Sequence, residues 1–138
     1  MHQQFIDTHI ISTQGQVITQ NTNTIIFDDS FTQIAQVEAS LQAFNQEVTD
    51  AKALLLADLD DRAETHQQVG KVVAESAPEL VIFHGKTIQQ ALVHNPKAYY
   101  FPDKFSLHNW LADRKFQNTH VLVLGGKALK IETVLQFI

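Results

Sequence analysis

The chain has 138 residues, 44% of them hydrophobic and 18% charged, and its 15 acidic against 10 basic residues set a formal net charge of −5. That length suits one domain with a sizeable core, and the apolar content excludes a disordered tail. The absence of cysteine excludes a disulfide scaffold, a thiolate zinc site and a thiol nucleophile. The acidic balance argues against nucleic acid as the main partner, because phosphate contacts need clustered Lys or Arg. The longest apolar runs, such as Val121–Leu124, fall far short of the roughly 20 residues of a membrane span. Met1-His2-Gln3-Gln4 lacks the basic start and apolar core of a signal peptide, so the sequence predicts a soluble, cytoplasmic protein.

In chain order, the first 22 residues read as an N-terminal β-ribbon. Phe5–Ser12 and Gln16–Thr19 are rich in Thr and Ile, with Gly15 between them, and suggest a hairpin added at a sheet edge. From residue 23 to 138 the pattern changes to a regular alternation of two kinds of segment. Short apolar runs occur at Thr24–Phe27, Ala53–Leu56, Leu80–Phe83, Ala98–Phe101 and His120–Leu124. Each precedes a stretch of helical spacing. Ile34, Val37, Leu41, Phe44 and Val48 mark the first, and Ala63, Val69, Val72, Val73 and Ala77 the second, which Pro78 stops. Ile88, Ala91 and Leu92 mark a short third helix, Leu107, Trp110 and Leu111 a fourth, and Ile131, Val134, Leu135 and Ile138 a fifth. Continuously apolar strands suggest burial on both faces. The expectation is an α/β, Rossmann-like three-layer fold: a mainly parallel sheet of five strand–helix units, with the β-ribbon at its edge.

Ligands of open α/β sheets bind beyond the carboxyl ends of the strands. The residues there are Asp28-Asp29-Ser30, Asp58 with Asp60 and Asp61, His84-Gly85-Lys86-Thr87, Pro102-Asp103-Lys104, and Gly125-Gly126-Lys127. Carboxylates, lysines and a glycine pair along one rim could hold a phosphate or a Mg²⁺-bound nucleotide, and the same residue types serve equally as helix caps and turns. Gly85-Lys86-Thr87 is like the end of a P-loop, but the glycine needed five residues earlier is Leu80, inside the strand. Gly125-Gly126 lacks the third glycine of a dinucleotide fingerprint. No histidine spacing suits a metal, and His84 and His120 belong at opposite rims of a parallel sheet. His66, one turn into the second helix, is the histidine closest to the Asp58 rim. A phosphoacceptor receiver domain would need an Asp after the third strand, where this chain has His84. No catalytic residue and no metal ligand is assigned.

The motifs taken together resemble the C-terminal domain of the Mur ligases, most nearly the type that adds D-alanyl-D-alanine to a UDP-muramoyl-tripeptide. Thr24-Ile25-Ile26-Phe27-Asp28-Asp29-Ser30-Phe31 looks like the family's first strand and its Asp-Asp-Ser-Tyr loop. Asp58 stands where the second strand ends in Asp, and Thr65-His66-Gln67-Gln68-Val69-Gly70 is similar to a Leu-His-x-x-Val-Gly helix. Gly85, Phe101-Pro102-Asp103-Lys104, and Leu124-Gly125-Gly126-Lys127-Ala128 followed by Glu132 continue the resemblance in order. Departures fall where ligand would be touched. Thr32-Gln33-Ile34-Ala35 replaces an Asn-x-Asn-Pro stretch, and Leu124, Gly126 and Lys127 replace the Lys, Ser and Arg of the last turn. Lys lacks the bidentate fork that Arg offers a carboxylate.

The resemblance implies a part in ATP-dependent amide-bond ligation for peptidoglycan precursors, with ATP and Mg²⁺ as the cofactors. It implies nucleotide or substrate binding by Asp28, Asp29, Ser30, Asp58, His66, Gly125 and Lys127. Its partners would be the ATPase domain of a Mur-type ligase and a UDP-muramoyl peptide or D-alanyl-D-alanine. These 138 residues hold neither a P-loop nor a UDP-binding domain, so ligation by this chain alone is not expected. Two alternatives use the same scaffold. One is a protein-interaction or regulatory module that pairs its edge ribbon with a partner strand. The other is a small-molecule binding domain built on Asp28, Asp58 and Lys127.

Overall fold

The computed structural model describes residues 16–28, 33–47, 51–76, 78–126 and 134–138. The elements in order are β1 (Gln16–Gln20), β2 (Asn23–Asp28), α1 (Ile34–Glu47), β3 (Lys52–Ala57), α2 (Ala63–Ser76), β4 (Leu80–His84), a 3₁₀ helix (Thr87–His94), β5 (Tyr99–Phe101), α3 (Lys104–Arg114) and β6 (His120–Leu124). The five expected apolar runs are all strands. A turn at 134–138, in which Phe137 and Ile138 donate to the Val134 and Leu135 carbonyls, falls within the expected fifth helix, whose earlier part lies outside the described residues.

Among the described residues the sheet has six strands in the order β1-β2-β6-β3-β4-β5. Only the β1–β2 pair is antiparallel; all other neighbours run parallel. The Phe5–Ser12 half of the expected ribbon lies outside the described residues. Gln16–Gln20 pairs with β2 across the two-residue turn Asn21–Thr22, where Asn21 takes φ 55, a conformation Asn tolerates better than most residues. His120 at the start of β6 lies level with Lys52, whereas His84 closes β4 opposite Ala57, so these histidines do sit at opposite rims.

Strand alternation divides the core into two layers. Ile26, Leu54, Leu56, Phe83, Leu122 and Leu124 face α1, α2 and the 3₁₀ helix, meeting Val37, Leu41, Phe44, Val69, Val73 and Ile88. Ile25, Ala53, Leu55, Ile82, Val121 and Val123 face Leu107 and Leu111 of α3 and Val134 and Ile138 of the 134–138 turn. Helical structure therefore covers both faces, as doubly buried parallel strands require. In α1 the buried residues step by four and three; in α2 His66, Val69, Gly70 and Val73 do the same. Asp103 caps α3 by accepting the Ser106 amide at 2.8 Å, and Lys115 ends it at φ 55.

The third helix is 3₁₀ for eight residues, longer than this form usually runs. Three fixtures hold it. Asn95 closes its far end by donating its side-chain amide to the Ala91 and Gly70 carbonyls, both at 2.9 Å. Gly70 of α2 packs so close that a Cβ there would lie 2.9 Å from the Ala91 Cα. The third fixture, at its start, is the Asp58 carboxylate.

At the amino rim, buried Asn23 ties distant parts of the chain together. It donates to the Phe116 and Ile138 carbonyls, at 2.8 and 2.9 Å, and accepts the Thr119 amide at 3.1 Å. Gln20 donates to the Leu135 carbonyl beside it.

Candidate functional site

The carboxyl rim is laced together by backbone amides that reach past the strand ends. Gly125 donates to the Asp28 carbonyl at 3.1 Å, Gly126 to the Asp58 carbonyl at 2.9 Å, Asp58 to His84 at 3.2 Å and Gly85 to Phe101 at 3.3 Å. Asp28, Asp58 and Gly125, three of the residues expected here, are thereby brought onto one line. Asp28 and Gly125 are buried, as is Gly126. Asp29, Ser30 and Lys127 lie outside the described residues.

Asp58 has a specific partner in the structure. Its carboxylate accepts the amides of Lys86 and Thr87 on Oδ2, at 3.1 and 3.3 Å, and of Ile88 on Oδ1 at 2.7 Å. The P-loop-like Gly85-Lys86-Thr87 does present convergent amides at a helix start, and the anion that fills them belongs to the protein. Gly85 permits this because it stands at φ 128 and lacks a Cβ, which would fall 2.4 Å from Asp58 Oδ1. Tyr100 completes the corner by donating its hydroxyl to the Gly85 carbonyl at 2.7 Å. Burial, and then the charge of Asp58, push the Tyr100 phenol above its ordinary pKa.

His66 is wholly buried, with both ring nitrogens engaged. Nε2 accepts the Leu59 amide at 3.0 Å, and Nδ1 faces the Arg62 carbonyl at 2.8 Å. A carbonyl can only accept, so this pattern assigns the neutral ring with its proton on Nδ1. The ring clamps the loop between β3 and α2 directly after Asp58. Asp60 supports the same loop by accepting the Arg62 amide and the Thr65 hydroxyl, at 2.8 and 2.9 Å. His66→Ala should cost about 2–3 kcal/mol, because it opens a cavity and strands a buried amide. Urea unfolding measures this, and a ligand-only role for His66 would leave the midpoint unmoved.

A second group stands on this rim. His84 donates from Nδ1 to the Phe101 carbonyl at 2.9 Å, next to the start of α3. Asp103 is held below its ordinary pKa first by the Ser106 amide, with the charge of His84 a smaller cause. The signal was Pro102-Asp103-Lys104 following β5 on the same side of the sheet as His84. Among the described residues, no group of three or more His, Asp or Glu side chains could hold a metal. None of the described helices is long and apolar enough to cross a membrane.

No family model and no curated protein matches the sequence. Solved structures are similar in fold. MurF ligase from Thermotoga maritima in complex with ADP superposes with a TM-score of 0.70 and 19% identity, over 88% of this chain and 29% of that one. MurF from Acinetobacter baumannii gives 0.74 and 18%, over 91% and 30%. The fold is that of a Mur-ligase domain. A domain from a Haemophilus ducreyi 35000HP protein, assigned as a UDP-N-acetylmuramate:L-alanyl-gamma-D-glutamyl-diaminopimelate ligase, matches at 0.62 and 13% over 93% of this chain and 99% of its own. The Mur-ligase domain fold thus accounts for most of this chain, which spans less than a third of the MurF chains. In this Mur-type fold Asp58 packs on Gly85 and caps the 3₁₀ helix, His66 clamps the loop that follows Asp58, and Asp28 and Gly125 meet through their backbones.

Proposed function

We propose that this chain is a diverged Mur-ligase C-terminal-like domain. Its place is in ATP-dependent amide-bond ligation for peptidoglycan precursors, in the cytoplasm, without ligase activity by itself. The observation that carries the reading is the match to a ligase domain of nearly the same extent, 93% of this chain against 99% of that domain. The order of Asp28-Asp29-Ser30, Asp58, His66, Gly85 and Gly125-Gly126-Lys127 along the sequence supports it, as does the meeting of Asp28, Asp58, Gly85 and Gly125 at one rim. Bound ATP would activate a carboxylate as an acyl phosphate for attack by an amine. This chain's share is structural and ligand-orienting. Asp58, Gly85 and His66 fix the loops of the rim, while the Asp29-Ser30 loop and Lys127 contact nucleotide or substrate. The described residues do not suit Mg²⁺, because the Asp58 carboxylate is taken by three amides and no acidic cluster stands near. The partners on this reading are the ATPase domain of a Mur-type ligase and a UDP-muramoyl peptide or D-alanyl-D-alanine.

Calorimetry with ATP, UDP-muramoyl-tripeptide and D-alanyl-D-alanine tests it. Binding of at least one is expected, weakened about tenfold or more by Lys127→Ala, the loss of one charge-assisted contact. Absence of heat with all three would sink the ligand part of the proposal. It would favour the second reading, a protein-interaction or regulatory module. One observation speaks for that alternative: the Asp58 carboxylate and both His66 nitrogens are engaged internally. On that reading β1, outermost in the described sheet, would pair with a partner strand.

A further inference from the structure

On the sheet face opposite Asp58 and His66, α3 meets the turn at 134–138. The His108 ring stacks on Phe137, with centroids 4.4 Å apart and planes 20° from parallel. Among the described residues, His108 Nε2 is fully buried and has no hydrogen-bond partner. A neutral imidazole tolerates this by keeping its single proton on Nδ1 and leaving only a lone pair inside. A second proton would have to enter at Nε2, creating a buried charged N–H with no acceptor among the described residues.

The charged groups around His108 add to that cost. His84 reaches it from β4 and Lys104 from one turn earlier in α3, both cationic when protonated. The described part of the turn, Val134-Leu135-Gln136-Phe137-Ile138, carries no acidic side chain, and its Leu135 and Ile138 main-chain oxygens are engaged by Gln20 and Asn23 on the hairpin side. Stacking on the Phe137 face favours a cation, but only weakly compared with burying an unpaired one. Burial first, then the charges of His84 and Lys104, hold the His108 pKa below its ordinary value.

We propose that His108 and Phe137 form an acid-sensitive latch: protonation of His108 unseats the 134–138 turn from α3. The far side of the turn lacks this sensitivity. There Gln20 and Asn23 hold the Leu135 and Ile138 carbonyls through side-chain amides, which do not titrate. Acid therefore opens the α3 side of the turn while the hairpin side stays clamped. The sign follows from linkage. The unfolded or released state binds the proton more readily, so the latch contributes fully above the unfolded His value of about 6.5 and weakens as pH falls through it toward the lower folded value.

Amide exchange by NMR reads the device, because the Phe137 and Ile138 N–H groups bond within the turn. Corrected for intrinsic rates, their protection should fall between about pH 7.5 and about pH 5, by up to about tenfold for each unit of pKa depression. His108→Phe keeps the stack and removes the titration, so its protection should be independent of pH. His108→Gln serves the same purpose if the Phe variant does not fold. The His108 ring itself should titrate below about 6.5. Unchanged protection in the wild-type chain, an equal fall in both variants, or a ring midpoint at or above the ordinary value would each overturn the proposal.

Discussion

Gly85→Ala should destabilise the protein by about 3–5 kcal/mol, from backbone strain plus the loss of charge-assisted hydrogen bonds. At φ 128 an alanine is strained whatever the space around it. Its Cβ would also lie 2.4–2.8 Å from all three atoms of the Asp58 carboxyl group, displacing it from the Lys86, Thr87 and Ile88 amides. Asp58→Ala alone should cost about 2–3 kcal/mol, more than one ordinary helix cap because three donors lose their acceptor while water reaches only some of them. The double variant should then cost clearly less than the sum, since without the carboxylate the added methyl displaces nothing. A double-mutant cycle from urea unfolding, with unchanged m-values, measures this coupling. Additivity within about 0.5 kcal/mol would show that the two residues do not share one site.

Gly70→Val should cost about 3–4 kcal/mol, at the upper end of what overpacking causes. Glycine inside a helix is ordinarily a weakness, and replacement by alanine gains up to about 1 kcal/mol. Here the sign reverses. A Cβ would meet the Ala91 Cα at 2.9 Å and the Ala91 Cβ and carbonyl at 3.1 Å, atoms of a helix held at both ends. The two helices must separate, which also pulls the Gly70 carbonyl from Asn95. Gly70→Ala should be destabilising too, by less. Thermal melting separates the two arguments: a raised midpoint for Gly70→Ala would mean that helix propensity outweighs the close approach.

How far the sequence exposes this molecule depends on whether an interaction is local. The five parallel strands and the first, second and fourth helices follow from runs such as Leu54–Leu56 and from the spacing of Val37, Leu41 and Phe44, because periodicity is a local property. The carboxyl-end rule likewise placed Asp28, Asp58 and Gly125 on one rim. The partner of Asp58 was not legible, since its three amides lie 28 to 30 residues further along. His66 read as a rim residue because its helix position was visible and its burial was not. The 3₁₀ form of the third helix was hidden for a related reason: Ile88 and Ala91 suit either helix type, and the choice goes with Asp58, Gly70 and Asn95 rather than with the segment alone. The edge strand was half legible, for Gln16–Thr19 is a strand but its described partner is β2.

The place of β6 in the sheet bears on how the chain reaches this state. It is the last strand of the described sheet in sequence, yet it lies between β2 and β3, pairing with both along its whole length. Until residues 120–124 leave the ribosome, β2 and β3 have no neighbour in common and each exposes an unpaired apolar edge. Closure then joins residues 24–28 to residues 120–124, and contacts so distant in sequence slow folding. The hairpin and the β3–β4 unit can form early, but the described sheet becomes one body only when β6 inserts between β2 and β3. Before β6 is in place, the open edges of β2 and β3 are where such a chain is exposed to aggregation.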